Sequence, residues 1–591
     1  MKAFFKTLLA STLGCILASI LSIIFFFSII GSLLTFETAK PTASSGVLRI
    51  DMSTFAVSES VKSTDIQSFL QGPAVPSKSL IDIIGAIRKA AEDPGIHSLF
   101  LKSDGLSAGI AQVEELRQAI SLFRKSGKPV IAFCEFPTLG SYYLSSVADK
   151  IYMSSNAGAG PQISGVATQM IFVGDLLRSL GINAQLIRHG KYKSAGEMFV
   201  KGAPSEENLE QTTEMISSLW NSIAEDIALS RGIPADGFKA MVDGLKLSSA
   251  EDMLEAGLVD GLLSREELKE QLAVIEGKES FEKVSFVDLP DYISRNKRYV
   301  PESAAGQIAV LLAEGEIVEG IDDLNIAGDR FATLLASLRS NENVKAVVLR
   351  VSSPGGSVLA SDKILSEVKL LADVKPVIAS YGDYAASGGY WISSSSDYIF
   401  SDRTTLTGSI GVFSMIPDVS RTLKEKLHVN VVTVGSSKHN MNIFAPLDGE
   451  ERALLQKQVD QIYGQFVANV AAGRHLEPSY VDGIAQGRVW SGDDALRLGL
   501  VDEIGGLDDA IRYAAVAAGN PDLDAWKVRT YGDMEPSILD EVIASMNLTP
   551  DQTDILASTP LAPLCMALKQ WQASSRERFF ARLPYQIVLA D

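Results

Sequence analysis

Short β-branched runs alternate with segments of helical period along the second half of the chain. The pattern predicts strands over 308–312, 344–351 and 376–380, with helices over 331–338 and 359–371 between them. A longer amphipathic stretch predicts a helix over 450–472, with a counterpart over 206–229, and a further strand is predicted over 184–187. Strands that alternate with helices in this way build parallel sheets through right-handed crossovers, so the predicted fold class is α/β.

The chain also resembles itself. Lys128-Pro129-Val130-Ile131-Ala132 recurs as Lys375-Pro376-Val377-Ile378-Ala379, and Tyr142-Tyr143-Leu144 as Tyr390-Trp391-Ile392. Ala148-Asp149-Lys150-Ile151-Tyr152 matches Ser396-Asp397-Tyr398-Ile399-Phe400, and Ala256-Gly257-Leu258-Val259-Asp260 matches Leu498-Gly499-Leu500-Val501-Asp502. Matches in the same order and at nearly constant spacing indicate a duplicated unit. The polar stretch 294–298, with Pro301 after it, reads as the joint. The predicted organisation is an N-terminal segment over 1–40, repeats over 41–295 and 296–530, and an extension over 531–591. In that extension Trp571 and the pair Phe579-Phe580 read as apolar surface for an interface or a membrane.

At the N-terminus Lys2 and Lys6 precede an uncharged run over 7–36. Such a run exceeds the roughly 20 residues a helix needs to cross a bilayer. It predicts an uncleaved anchor with its N-terminus in the cytoplasm and the rest of the chain outside; a cleavable signal peptide has a shorter apolar core. No later stretch is long and apolar enough to span.

Composition adds bounds. With 591 residues, 46% of them hydrophobic, the chain has material for two to four domains with sizeable cores. A net charge of −19 argues against nucleic acid as a partner. The three cysteines, Cys15, Cys134 and Cys565, have neither disulfide-framework nor zinc-ligand spacing, and the five histidines are scattered. No metal and no cofactor are expected.

Two glycine-rich turns follow predicted strands in the second half, where α/β folds place reactive groups. One is Ser353-Pro354-Gly355-Gly356-Ser357; the other is Ala385-Ala386-Ser387-Gly388-Gly389-Tyr390. A serine opening a helix lies near unpaired backbone N–H groups, and donors at Gly388 and at Gly355 or Gly356 would suit a tetrahedral oxyanion. The same motif also serves as a tight turn with a helix cap. In the first repeat Leu139 falls opposite Ser387, and Ser103-Asp104-Gly105-Leu106 replaces the glycine turn, so only the second repeat carries a candidate nucleophile. No histidine sits in a partner motif, and a lysine kept neutral by burial can take that role. The candidate is Lys193 in Gly190-Lys191-Tyr192-Lys193-Ser194-Ala195-Gly196-Glu197. A lysine with an unperturbed pKa of about 10.4 is charged at pH 7, so its pocket must be apolar and activity should rise toward alkaline pH.

Tyr192-Lys193-Ser194-Ala195, Ser-Pro-Gly-Gly, Ala-Ser-Gly-Gly-Tyr-Trp, Thr407-Gly408-Ser409-Ile410-Gly411 and Gly487-Arg488-Val489-Trp490-Ser491-Gly492 together resemble the signal peptide peptidase A family in its long, duplicated form. The resemblance covers essentially the whole chain. It implies a ClpP/crotonase-like α/β domain in each repeat and a Ser/Lys dyad. Carried over by motif, Ser387 is the nucleophile and Lys193 the general base, so the two come from different repeats; Ser409 is the group that orients the amine. Aligning Gly190 with Gly435 sets Lys438 opposite Lys193. Short family members carry the lysine downstream of the serine in one unit, which makes Lys438 the rival base, although it lacks the preceding tyrosine and following Ser-Ala. The resemblance further implies a single-pass protein of the bacterial inner membrane, tetrameric, facing the periplasm, acting on cleaved signal peptides and other apolar polypeptides. The competing functions are a catalytically silent scaffold and an acyl-CoA enzyme of the crotonase type, the latter opposed by export away from cytoplasmic coenzyme A.

Overall fold

The computed structural model describes residues 44–60, 76–296, 306–322, 325–532 and 579–583. The anchor expected within 1–40, most of the 294–301 joint and all but five residues of the tail beyond 532 lie outside the described residues. Among the described residues no helix is long and apolar enough to cross a membrane.

Two parallel sheets carry the cores. The first orders its strands Gly261–Leu263, Lys150–Ser154, Val130–Cys134, Ile96–Lys102, Gly46–Asp51 and Phe286–Asp288, all parallel. The second runs Val489–Ser491, Leu406–Gly408, Val377–Ala386, Val344–Ser353, Gln307–Glu314 and Lys527–Tyr531, with Tyr398–Ser401 and Glu503–Ile504 branching from the third. Only the Val489–Ser491 pairing in it is antiparallel. Helices cover these sheets, which is why a central strand such as Gln307–Glu314 is buried over its length up to Glu314 and reads as a continuous apolar run. The expected strands and helices appear, most of them longer than predicted, and Val377–Ala386 continues six residues past Ser380 to reach the second glycine turn.

The duplicated motifs make duplicated contacts. Tyr142 donates its hydroxyl to the Leu258 carbonyl at 2.6 Å, and Tyr390 does the same to Leu500 at 2.7 Å. The Asp149 and Asp397 carboxylates accept from the Val130 and Val377 amides at 2.9 and 2.8 Å. Lys128 and Lys375 each donate to two helix-end carbonyls. The long helices Glu206–Arg231 and Gly449–Arg474 both open on a side-chain cap, Ser205 and Asp448, with two glutamates in the first turn. Capping oxygens satisfy free N–H groups, and the acids favour the positive end of the helix. The repeated pentapeptides are therefore recurring joints between strands and helices of the two units rather than a shared chemical site.

The contact between the halves is polar at its centre. Arg350, fully buried, donates to the Glu59 carboxylate at 2.8 and 2.9 Å and to Glu115 at 2.5 Å. Asp383 accepts from the Ala111 amide at 2.8 Å, and Glu114 accepts from the Arg403 and Thr404 amides and the Thr404 hydroxyl. Burial pushes both Glu114 and Asp383 up to about 7.

A third, mixed sheet joins the halves at one edge. Its order is Ile326–Ala327, Ile317–Val318, Gly355–Ser357, Phe580–Arg582, Val412–Asp418 and Asn183–His189. The last strand comes from the first half, pairs antiparallel with Val412–Asp418, and delivers the Gly190–Glu197 segment to the second half.

Candidate active site

Ser387 ends the Val377–Ala386 strand and caps the short helix Gly388–Ser393. Its backbone sits at φ +56°, a conformation that L-residues other than glycine, asparagine and aspartate adopt rarely and at a cost. The surroundings hold it there. Its amide donates to the Gly408 carbonyl at 2.8 Å, and its carbonyl accepts from the Trp391 amide at 2.8 Å. Trp391, in turn, is buried in the core of the second half.

Lys193 arrives from the other half and is also fully enclosed, 1% exposed. Its Nζ lies 2.7 Å from the Ser387 Oγ, 3.0 Å from the Ser409 Oγ and 3.2 Å from the Ser409 carbonyl oxygen. No carboxylate contributes to its electrostatics; burial alone holds the amine well below the usual lysine range. A neutral amine has two N–H groups and one lone pair. With Ser409 accepting both N–H groups, the lone pair is left to accept the Ser387 hydroxyl proton.

The lysine's path is set by its neighbours. Gly190, at φ +102°, turns the chain out of its strand. The Lys193 carbonyl accepts from Arg188 at 2.8 Å, and the Tyr192 carbonyl accepts from Gln211 at 2.9 Å. Tyr192 donates its amide to the Gln486 carbonyl at 2.9 Å, and the Arg488 guanidinium lies over its ring at 4.7 Å. Gly487 is pressed against the lysine backbone: a Cβ there would stand 2.6 Å from the Lys193 nitrogen and Cβ. Glu197 is buried and accepts from Arg188, Lys201 and Ser205, which locks the end of the segment.

Gly355 and Gly356 face Ser387 across the corner. A Cβ on Gly355, at φ +101°, would stand 2.8 Å from the Gly388 nitrogen, and one on Gly388 would stand 3.1 Å from the Gly356 nitrogen. The backbone nitrogens of Gly356 and Gly388 thus each lie close to the facing glycine turn beside the serine, while the Gly355 amide donates to the Ser353 hydroxyl at 3.2 Å. Lys438 is elsewhere in its interactions: it is surface-exposed and donates to Glu450 at 2.7 Å. The six residues Lys193, Ser387, Ser409, Gly355, Gly356 and Gly388 are brought together; Lys438 is not. Sequence reasoning did not single out Gln211, Arg188 or Gly487 as supports. Gly190, Tyr192, Glu197, Gly487 and Arg488 lay inside motifs that drew attention, whereas Arg188 and Gln211 lay outside them, because a supporting side chain carries no chemical signature of its own.

A buried amine on a serine hydroxyl, beside the backbone amides of two glycine turns, has what nucleophilic acyl transfer without histidine requires. Comparison with known proteins agrees in class. The family model for peptidase family S49 matches residues 122–278 and 369–520, one match in each half, and the chain belongs to that family. Protease 4 of Haemophilus influenzae is 36% identical over 77% of this chain and 76% of its own length. Protease 4 of Salmonella typhi is 34% identical over 83% of this chain and 80% of its own, and the chloroplastic serine protease SPPA of Arabidopsis thaliana is 33% identical over 73% and 65%. Among solved structures, ClpP1 from Listeria monocytogenes aligns with 34% of this chain and 92% of its own at 18% identity and a TM-score of 0.23.

Proposed function

We propose that this protein is a serine endopeptidase that degrades cleaved signal peptides and other apolar polypeptides, with Ser387 as nucleophile and Lys193 as general base. The observation that carries the reading is the 2.7 Å approach of a fully buried lysine amine to a serine hydroxyl. Neutral Lys193 takes the hydroxyl proton as Ser387 Oγ bonds to the peptide carbonyl carbon. The oxyanion is held by N–H groups of Gly388 and of Gly355 or Gly356. As the C–N bond breaks, the ammonium gives its proton to the leaving amine. The Lys193 amine then takes a proton from water as the water oxygen bonds to the ester carbonyl carbon, and returns it to Ser387 Oγ as the ester C–O bond breaks, releasing the carboxylic acid. Ser409 positions the amine throughout.

In this reading each half is a ClpP/crotonase-like domain, the first supplying the lysine and the second the serine. A single N-terminal anchor holds a tetrameric assembly at the periplasmic face of the inner membrane, near its substrates. Neither a silent scaffold nor an acyl-CoA enzyme is favoured by the relatives or by the intact constellation.

The test is hydrolysis of an apolar fluorogenic peptide by the detergent-solubilised protein and its Ser387→Ala, Lys193→Ala and Lys438→Ala variants. The first two lose turnover and the third retains it. Absence of Ser387-dependent cleavage between pH 7 and 10, or loss on Lys438→Ala alone, overturns the assignment.

A further inference from the structure

The third sheet contains one strand whose neighbours in sequence lie outside the described residues. Phe580–Arg582 runs antiparallel to Gly355–Ser357, with Gly356 opposite Ala581, Gly355 opposite Arg582 and Ser357 opposite Phe580. The pairing extends at both ends: the Leu583 amide donates to the Pro354 carbonyl at 2.7 Å, and the Val358 amide donates to Phe579 at 3.4 Å. On its other side the strand pairs with Val412–Asp418 through Phe413 and Phe580. It therefore fills a place between the glycine turn beside Ser387 and the strand that pairs with the approach to Lys193. Without it, two strand edges face each other across one strand width, and unpaired backbone groups on such edges are ready to accept an extended peptide.

The fit is specific at the reacting corner. The Ala581 carbonyl oxygen lies 3.2 Å from where a Gly388 Cβ would stand, and within contact of one on Gly355. A peptide carbonyl is thus lodged between the two glycine turns beside Ser387. The flanking side chains are seated as well. Phe580 is buried against Phe413, ring centroids 5.4 Å apart, in a cluster with Met415, Phe199 and Ala195. Leu583 is buried in the cluster that includes Ala386 and Leu406, and Arg582 pairs with Glu316 at 2.6 Å. Phe580, expected from sequence to be apolar surface for an interface or a membrane, instead faces the interior.

We infer that residues 579–583 are an intramolecular pseudosubstrate: they occupy the slot in which an extended apolar polypeptide binds, and they leave before such a polypeptide enters. The inference rests on the peptidase reading and deepens it. It names the ligand as an extended strand with a small residue at the place of Ala581, an aromatic one residue before it, and an apolar residue two after it. The tail and the substrate compete for one site, so the apparent affinity for substrate is reduced by the fraction of molecules whose slot is open.

The experiment uses the full chain in detergent. Phe580→Asp puts a charge into the Phe413 cluster and expels the strand. KM for an apolar fluorogenic peptide is expected to fall about tenfold, the factor set by a slot closed in about nine-tenths of molecules, with kcat little changed. A synthetic Phe-Phe-Ala-Arg-Leu peptide then inhibits the variant competitively. Arg582→Gln, which removes only the Glu316 pair, shifts KM in the same direction by a smaller factor, and it decides the matter if Phe580→Asp does not fold. Unchanged KM in the folded variants, or loss of turnover at an unchanged melting temperature, overturns the inference, because the strand then builds the site rather than blocking it. Anisotropy of a labelled peptide on Ser387→Ala backgrounds separates the two readings. Tighter binding after Phe580→Asp without Ser387-dependent hydrolysis in the parent sinks the dyad alone; hydrolysis with unchanged binding sinks the pseudosubstrate alone.

Discussion

Replacing Lys193 by methionine tests the charge state on which the chemistry depends. The amine is buried with no carboxylate to offset it, and burial holds its pKa well below the usual range. In the unfolded chain the same lysine titrates at about 10.4. Between its folded pKa and that value the unfolded state binds one more proton than the folded state, so folding stability rises with pH. The contribution is fully present above pH 10.4 or so and is lost as pH falls toward the folded pKa, with a slope of about 1.4 kcal/mol per pH unit. Methionine has no proton to bind. Its hydrogen-bond losses at Ser387 and Ser409, of order 1–3 kcal/mol for each buried group left unsatisfied, shift the whole stability curve. They do not change its slope. Urea unfolding of the parent and of Lys193→Met at half-unit steps from pH 7 to 10, followed by tryptophan fluorescence, therefore gives two curves of different slope, the parent losing stability faster toward neutral pH. Parallel curves would falsify the argument, since they mean that the lysine is already charged in the folded protein and cannot act as a base.

Other substitutions probe the supports. Ser409→Ala removes one acceptor 3.0 Å from the amine and should cost about 1 kcal/mol in orientation, read as a roughly three- to tenfold fall in kcat with KM unchanged; an unaltered kcat removes Ser409 from the site. Gly487→Ala introduces a Cβ 2.6 Å from the Lys193 backbone at a φ of +80°, so it displaces the lysine and lowers kcat far more than it lowers the melting temperature. Arg350→Met leaves the Glu59 and Glu115 carboxylates buried without their guanidinium, a loss of about 3–5 kcal/mol that denaturant titration at pH 8 resolves. The loss shrinks at acidic pH, where protonation relieves carboxylates; equal losses at pH 5 and pH 8 contradict it.

Much of this was legible along the chain because it is written in local patterns. Period and repeat gave the α/β class, the duplication and the long helices, since a strand covered on both faces must be continuously apolar and a covered helix must be amphipathic. The glycine turns marked Ser387, because a chain that must turn sharply and approach closely needs residues without Cβ. The choice between Lys193 and Lys438 was different in kind. Each lies three residues after a glycine, and although only Lys193 carries the flanking Tyr and Ser-Ala, that local difference does not show which amine is sealed against Ser387 and which is exposed beside Glu450. Burial decides that, and burial is a property of two halves packed together. The same holds for Arg350 with Glu59 and Glu115, far apart in sequence and each an ordinary surface residue type. It holds for Phe580–Arg582, whose three residues carry no motif. Their place beside Ser387 exists only because a strand edge, an apolar pocket and a glutamate from separate parts of the chain converge there. Sequence alone determined which elements form and which residue types have chemistry to offer. The tertiary structure decided which of those groups lose water and meet, and desolvation is what turns a lysine from a surface charge into a base.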